Sequence, residues 1–315
     1  MKKLLCLLLA LCMCFSLSML LTACDDVAKN PNTEDDASKN PNTEDDASQN
    51  PSSENPAPEK ESGSGSLRVM TYNLHAGANH TNRDFELIDM VLNLIEKYEP
   101  DIFGVQEATP NWMSSLRERF GDRYDSVGVG RYANGSGEAC AIFYLKDRFE
   151  IVNNETGTKW LSLTPDVPGS YDFGSDYVRI YTYAKFKDKE TGKIFVHVNT
   201  HLDVDDYACE EQADLLMQVC KEYENKGFPC IVTGDYNCAK GSEAYRILTN
   251  TGFLDSIDIA EQTQNKEALW VDHIFLSKGI NVPYYQICTE TYARANGETV
   301  QPSDHKPVFI DCVIP

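Results

Sequence analysis

The chain is short of positive charge. Its 28 lysines and arginines stand against 49 aspartates and glutamates, for a formal net charge of −21. Such a surface repels a polyanion at long range, which disfavours tight binding of duplex nucleic acid. Local phosphate chemistry survives that argument, because a bound cation can hold phosphate at one site. Also lacking is any Cys-x-x-Cys pair among the 11 cysteines, so a zinc site is not expected. Cys6, Cys12, Cys14 and Cys24 fall in the first 24 residues. The other seven, Cys140, Cys209, Cys220, Cys230, Cys238, Cys288 and Cys312, cannot all pair with one another. Several sit in apolar runs, where a free thiol acts as a small hydrophobe. One or two disulfides stay open for an exported chain.

What is present begins with an export signal. Lys2-Lys3 forms a short basic region, and Leu4 to Leu21 is apolar apart from Ser16 and Ser18. The run is also long enough to span a bilayer. Leu21-Thr22-Ala23-Cys24 decides between the two, because it looks like a bacterial lipobox. That likeness implies a signal peptide over 1–23 and lipidation of Cys24, which becomes the anchored N-terminus. Two acyl chains suffice for stable anchoring where one is marginal. Residues 24–66 then form a tether. Its ten-residue unit Lys29 to Ser38 recurs as Lys39 to Ser48 and decays up to Pro58. The stretch is too polar and too rich in proline to bury a core. Once the tether and the two leading lysines are set aside, residues 67–315 carry about −15 and are long enough for one domain.

Within 67–315 the pattern is that of an α/β domain. Ser66 to Leu74 alternates as a strand, Asp84 precedes a helical spacing that runs to Tyr98, and Asp101 to Glu107 reads as a second strand. Further strands are expected over Glu138–Tyr144, Phe149–Val152, Val178–Lys187, Lys193–Thr200, Leu269–Leu276 and Val308–Val313. Helices are expected over Asn111–Phe120, Asp206–Tyr223 and Ser242–Asn250. Thr158 to Ser175 reads as a long loop of the kind that often carries function.

One stretch organises the domain. Phe228 to Val232 is a buried strand, and Gly234-Asp235-Tyr236-Asn237 closes it. Alternation would project Asp235 and Asn237 together from its C-terminal end, where open sheets place ligands. A turn rich in Asp and Asn explains these residues equally well when they are taken alone. The same kind of ending recurs, however, at Asn73, Glu107, His201, Asp272 and Asp304-His305. Asp272 interrupts an apolar run, which is costly unless it is paired.

Taken in order, Met70-Thr71-Tyr72-Asn73, Gln106-Glu107, Asn199-Thr200-His201-Leu202, Gly234 to Asn237, Trp270 to Ile274 and Ser303-Asp304-His305 resemble the endonuclease/exonuclease/phosphatase superfamily. Gly137 to Tyr144 with Arg148-Phe149, and Trp160-Leu161-Ser162 with the prolines after it, resemble the deadenylase-type branch and its bacterial relatives. The resemblance implies a four-layer α-β-β-α sandwich of two packed mixed sheets. It implies an enzyme that cleaves a phosphodiester by metal-assisted attack of water, with Mg²⁺, or alternatively Mn²⁺, held by Glu107 and Asn73. On the same footing Asp235 handles the water and Asn237 meets the phosphate. His305 assists with Asp272 or Asp304 as its carboxylate, His201 serves the phosphate or leaving group, and Glu138 and Arg179 lie at the pocket.

The expected substrate is a phosphate ester: nucleic acid, a nucleotide or a phospholipid head group. No protein partner is expected, and the chain is expected to be a monomer outside the cytoplasmic membrane, attached through Cys24. A phosphate-binding lipoprotein without turnover is the competing reading, and a sphingomyelinase or inositol-phosphate phosphatase is the competing enzyme. No membrane-inserting hairpin supports the sphingomyelinase. His75 replaces a metal-linked Asp of some nucleases, and Asp203 departs from the sphingomyelinase pattern.

Overall fold

The computed structural model describes residues 58–59, 65–79 and 84–315. The expected signal peptide, Cys24 and nearly all of the tether lie outside the described residues. Among the described residues no helix is long and apolar enough to cross a membrane.

The strands are β1 (Ser66–Asn73), β2 (Ile102–Ala108), β3 (Tyr124–Val127), β4 (Ala139–Leu145), β5 (Phe149–Trp160), β6 (Ile180–Asp188), β7 (Ile194–His201), β8 (Cys230–Asp235), β9 (Leu254–Asp255), β10 (Gln262–Gln264), β11 (Asp272–Leu276), β12 (Asn281–Ile287), β13 (Tyr292–Ala293), β14 (Thr299–Val300) and β15 (Val308–Val313). The helices are α1 (Phe85–Tyr98), α2 (Pro110–Phe120), α3 (Asp206–Asn225), α4 (Glu243–Asn250) and α5 (Ser256–Ile259). One sheet runs β10-β12-β15-β1-β2-β4-β3 and the other β5-β6-β7-β8-β11-β9. Both mix parallel and antiparallel pairs. β1 lies parallel to β2, β7 to β8 and the short β10 to β12, and the remaining pairs of the two sheets are antiparallel.

Alternation along each strand makes the layers. From β1, Met70 and Tyr72 pack outward on Val91 and Ile95 of α1 and Trp112 of α2. Leu67 and Val69 face inward and meet Phe186, Phe195 and Ile231 of the second sheet. The far face of that sheet, through Val196, Val198 and Val232, covers Leu216 of α3 and Leu248 of α4. The order is helix, sheet, sheet, helix, the expected four-layer sandwich.

The helices begin where side chains satisfy their first amides. Asp84 accepts from the Leu87 N–H and Thr109 from the Trp112 N–H. Asp205 does the same for Ala208 in α3.

Toward one end of the sandwich the interior turns polar. Gln106 Nε2 donates to Thr71 Oγ1 at 3.0 Å and to Asn199 Oδ1 at 2.7 Å, bridging the two sheets. Asn199 Nδ2 reaches the Val105 and Ala141 carbonyls, both at 2.9 Å, and Thr233 Oγ1 lies 3.0 Å from Asn199 Oδ1. Gly104 is what lets the sheets approach here. A Cβ at that position would stand 2.3 Å from Thr233 Oγ1 and 2.4 Å from Asn199 Oδ1.

Several expectations need correction. β11 starts at Asp272, so this carboxylate opens the strand and does not interrupt it, because a 3-10 turn at Lys266–Ala268 occupies the approach. β5 runs on to Trp160 through a bulge, with Asn153 and Asn154 at positive φ, and takes the first residues of the expected loop. β3, β12 and the shortest strands had no clear alternation to reveal them. All seven cysteines of 67–315 are free and buried, which leaves no disulfide among the described residues.

Candidate active site

The polar interior opens at the C-terminal ends of two parallel strand pairs. β1 and β2 deliver Asn73 and Glu107; β7 and β8 deliver His201 and Asp235. β11 runs the other way, so its first residue, Asp272, is registered directly opposite Asp235. The turn before β15 brings His305 over them, and Ser303 pins that turn by donating from Oγ to the Asn73 carbonyl at 2.8 Å.

Asp235 is the centre of the cluster. Its Oδ2 accepts from Asn73 Nδ2 at 2.8 Å and lies 3.4 Å from His201 Nε2 and 3.7 Å from His305 Nε2. Its Oδ1 accepts from the Asn237 N–H at 3.0 Å. Burial, and then the neighbouring Asp272, push its carboxyl up to about 7, while His305 opposes the shift. A carboxylate poised near neutrality suits a base acting on water.

Burial alone would strip His305 of its proton, but the hydrogen bond from Nδ1 to Asp272 Oδ2 at 2.8 Å and the nearby carboxylates outweigh it and carry the ring up to about 9. His305 is therefore an imidazolium at neutral pH. His201 goes the other way. Burial, with Arg179 and His305 nearby, drives it well below the ordinary value, so its imidazole is neutral. The two histidines thus carry different charge states beside the same Asp235 oxygen.

Glu107 stands at positive φ, as do His75 and Asn237. Non-glycine residues held there are costly and concentrate at functional sites. The Glu107 carboxylate accepts from Asn73 Nδ2 at 3.1 Å and from the Ala76 N–H at 2.6 Å. Asn73 thus places its amide NH₂ between two carboxylates, Glu107 and Asp235. A cation seated there would replace the NH₂, with the amide turned to present oxygen. This oxygen-rich set fits a hard divalent cation. Asp235, Asp272 and His305 also have ligand atoms within 4.8 Å of one another. That second group suits a metal less well, because His305 is charged and its Nδ1 is committed to Asp272.

The cleft has a volume of about 240 Å³, and its lining includes Glu107, His201, Asp235, Asn237, His305, Glu138 and Arg179. Seven of the expected residues therefore meet around one space. Asn73 and Asp272 support them from below.

Asp304 is the exception. Its side chain is 58% exposed, lies 3.9 Å from His75 Nδ1 and borders a separate hollow beside Trp270. Asp272 alone orients His305. Asn237 reaches the cleft, but from a left-handed turn after β8 rather than by strand alternation, and its Nδ2 donates to the Leu202 carbonyl at 2.9 Å. Asp203 is structural. It is buried and accepts the N–H groups of Asp176, Tyr177 and Asp205.

Sequence reading missed Arg131 and Tyr177, which line the cleft together with Asp235. Arg131 lies in a glycine-rich loop with no strand ending to mark it. Trp270 carries no role in the sequence motif, yet its exposed ring stacks on His305 with centroids 5.1 Å apart and planes at 27°.

The sequence profile of the Endonuclease/Exonuclease/phosphatase family matches residues 70–305, which runs from β1 to His305. The chain belongs to the endonuclease/exonuclease/phosphatase family. Among solved structures of that family, a Bacteroides thetaiotaomicron member superposes with a TM-score of 0.72 at 32% identity, covering 79% of this chain and 98% of the other. A mannosyl-6-phosphatase from the same organism superposes at 0.70, also with 32% identity, over 79% of this chain and 100% of its own. The human Nocturnin catalytic domain, at 22% identity and a TM-score of 0.59 over 79% and 93%, shares the fold. As a member of the endonuclease/exonuclease/phosphatase family, the protein is a phosphoric-ester hydrolase of the phosphatase and nuclease class.

Proposed function

We propose that the protein is a divalent-metal-dependent phosphoric-ester hydrolase, anchored through Cys24 and working outside the cytoplasmic membrane. The observation that carries the catalytic part is the convergence of Asn73, His201 and His305 on one buried carboxylate, Asp235, beside Glu107. Glu107 and the Asn73 amide oxygen would hold Mg²⁺ or Mn²⁺. When bound, the cation neutralises phosphate charge in the ground and transition states.

The chain's own residues do the rest. Asp235 orients a water and takes its proton as the water oxygen bonds to phosphorus. The bond from phosphorus to the leaving oxygen breaks as His305, an imidazolium held by Asp272, donates its Nε2 proton to that oxygen. Neutral His201 steadies the Asp235 carboxylate from the other side, and Asn237 fixes Asp235 through its backbone N–H. His305 then regains a proton from solvent, and Asp235 loses one.

The acidic chain favours a small phosphate ester over a duplex. The likeness to a mannosyl-6-phosphatase supports hexose phosphates as the first substrates to try. The anchor is supported by Lys2-Lys3, the apolar run and Leu21-Thr22-Ala23-Cys24.

The test is hydrolysis by the full-length chain of mannose 6-phosphate, p-nitrophenyl phosphate, bis-p-nitrophenyl phosphate and single-stranded DNA, each with Mg²⁺ and with EDTA. Turnover that EDTA abolishes and Mg²⁺ restores is expected. Absence of metal-dependent turnover on every substrate favours a binding lipoprotein.

A further inference from the structure

The cleft lining holds two arginines that the mechanism does not use. Arg179 is 5% exposed, and its Nε is sealed from water without a hydrogen-bond acceptor among the described residues. Its nearest carboxylate, Asp203, stays 3.6 Å from Nε and is already taken by three backbone N–H groups. Arg131 is also buried. Its Nη1 pairs with Glu138 Oε2 at 2.7 Å, but its Nε is sealed from water with no partner. Both guanidiniums pack on the half-exposed Tyr177 ring, at 4.8 Å for Arg179 and 5.4 Å for Arg131. Two like charges brought together, with donors left unused, are unfavourable. Burial and Arg131 accordingly press the Arg179 pKa downward. An anion in the cleft both residues line offsets the paired positive charge, and forked guanidinium donors match phosphate oxygens better than any other side chain.

We propose that Arg179 and Arg131 form a cradle for the unesterified oxygens of the substrate phosphate, which makes the enzyme selective for phosphate monoesters over diesters. This rests on the hydrolase reading above and departs from the diester expected from the sequence. In-line attack leaves three oxygens on phosphorus besides the attacking and leaving ones. In a monoester all three are free to accept from the arginines and the cation. In a diester one of them carries a second organic group, which in a cleft of about 240 Å³ is pressed against buried N–H donors. A site built to hydrogen-bond rejects an analogue that leaves its donors unpaired. The reaction releases an alcohol and inorganic phosphate, and that product is itself a ligand for the cradle.

The experiment compares kcat/KM for p-nitrophenyl phosphate and bis-p-nitrophenyl phosphate, with Mg²⁺, in the full-length chain and in Arg179→Gln, Arg179→Lys and Arg131→Gln. Wild type is expected to prefer the monoester by at least ~10-fold. Arg179→Gln should reduce the monoester-to-diester ratio by at least ~10-fold and weaken competitive inhibition by inorganic phosphate by about as much. Arg179→Lys, which keeps charge but loses the fork, should fall between. Thermal shift adds a readout without turnover: in EDTA, inorganic phosphate should raise the Tm of wild type and not that of Arg179→Gln. Should Arg179→Gln fail to fold, Arg131→Gln decides, with the same direction expected. A wild-type preference for the diester, or a ratio unmoved by the arginine variants while turnover persists, overturns the cradle and leaves the hydrolase intact. No metal-dependent turnover of either compound overturns both.

Discussion

His305 Nδ1 lies 2.8 Å from Asp272 Oδ2, and Asp272 is registered across the sheet from Asp235. One carboxylate therefore holds a charged imidazole over another whose pKa is raised to about 7. Replacing Asp272 by Asn keeps the shape and removes the charge that holds the proton on His305. Asp272→Asn should lower kcat about 100-fold, the scale for one acid/base group. In wild type the imidazolium is lost only as pH rises through about 9, so the rate should fall on that limb. In Asp272→Asn that limb should shift toward the ordinary histidine value near 6.5. Rate profiles of both enzymes between pH 5 and 10 check it; an unmoved alkaline limb contradicts the role given to Asp272.

His197 predicts acid instability. Buried in β7 with Nε2 2.9 Å from Thr233 Oγ1, its imidazole is pushed down to about 3 by burial alone. The unfolded chain binds a proton near pH 6.5 that the folded chain refuses. The stability that His197 contributes is thus complete above pH 6.5 and is lost as pH falls toward 3. The slope approaches ~1.4 kcal/mol per pH unit for one proton. Urea unfolding at pH 7, 6 and 5 should follow this trend, and His197→Asn should flatten it by up to one proton.

Gly104→Ala tests the contact between the sheets. The added Cβ would overlap Thr233 Oγ1 and Asn199 Oδ1, both of which belong to the polar network below the site. Separating the sheets enough to fit it should cost about 3 kcal/mol, at the upper end for overpacking. A lower urea midpoint at constant m-value would register this. A midpoint within experimental error of wild type contradicts the close approach.

Much of this was legible in the sequence, for identifiable reasons. The strand-end residues Asn73, Glu107, His201 and Asp235 stand out because each ends an apolar run, and a polar side chain at the end of a buried strand needs an explanation. The order of the motifs then implied the sandwich and the family. Sequence leaves Asp272 and Asp304 as alternative partners of His305, because Asp304 adjoins it in the chain. The hydrogen bond runs to Asp272, which the register of β8 and β11 sets beside Asp235. Arg131 and Tyr177 were illegible because they sit on loops without periodicity. Their role depends on Arg179 and Asp203, distant in the chain, being folded beside them.

The anchor calls for its own check. Mass spectrometry of the membrane-bound wild-type protein should find an N-terminus at Cys24 carrying acyl chains, with residues 1–23 removed. An unacylated chain that still carries Leu4 to Leu21 would mean that this segment is retained as a span.

The central claim is that Asp235 handles the attacking water. The most direct measurement is the Mg²⁺-dependent rate of p-nitrophenyl phosphate hydrolysis by wild type and by Asp235→Asn. The two should bind inorganic phosphate comparably, since the variant keeps the size and most of the hydrogen-bonding pattern of Asp235. A fall in kcat of about 100-fold or more is predicted for Asp235→Asn. A kcat within a few-fold of wild type would contradict the account.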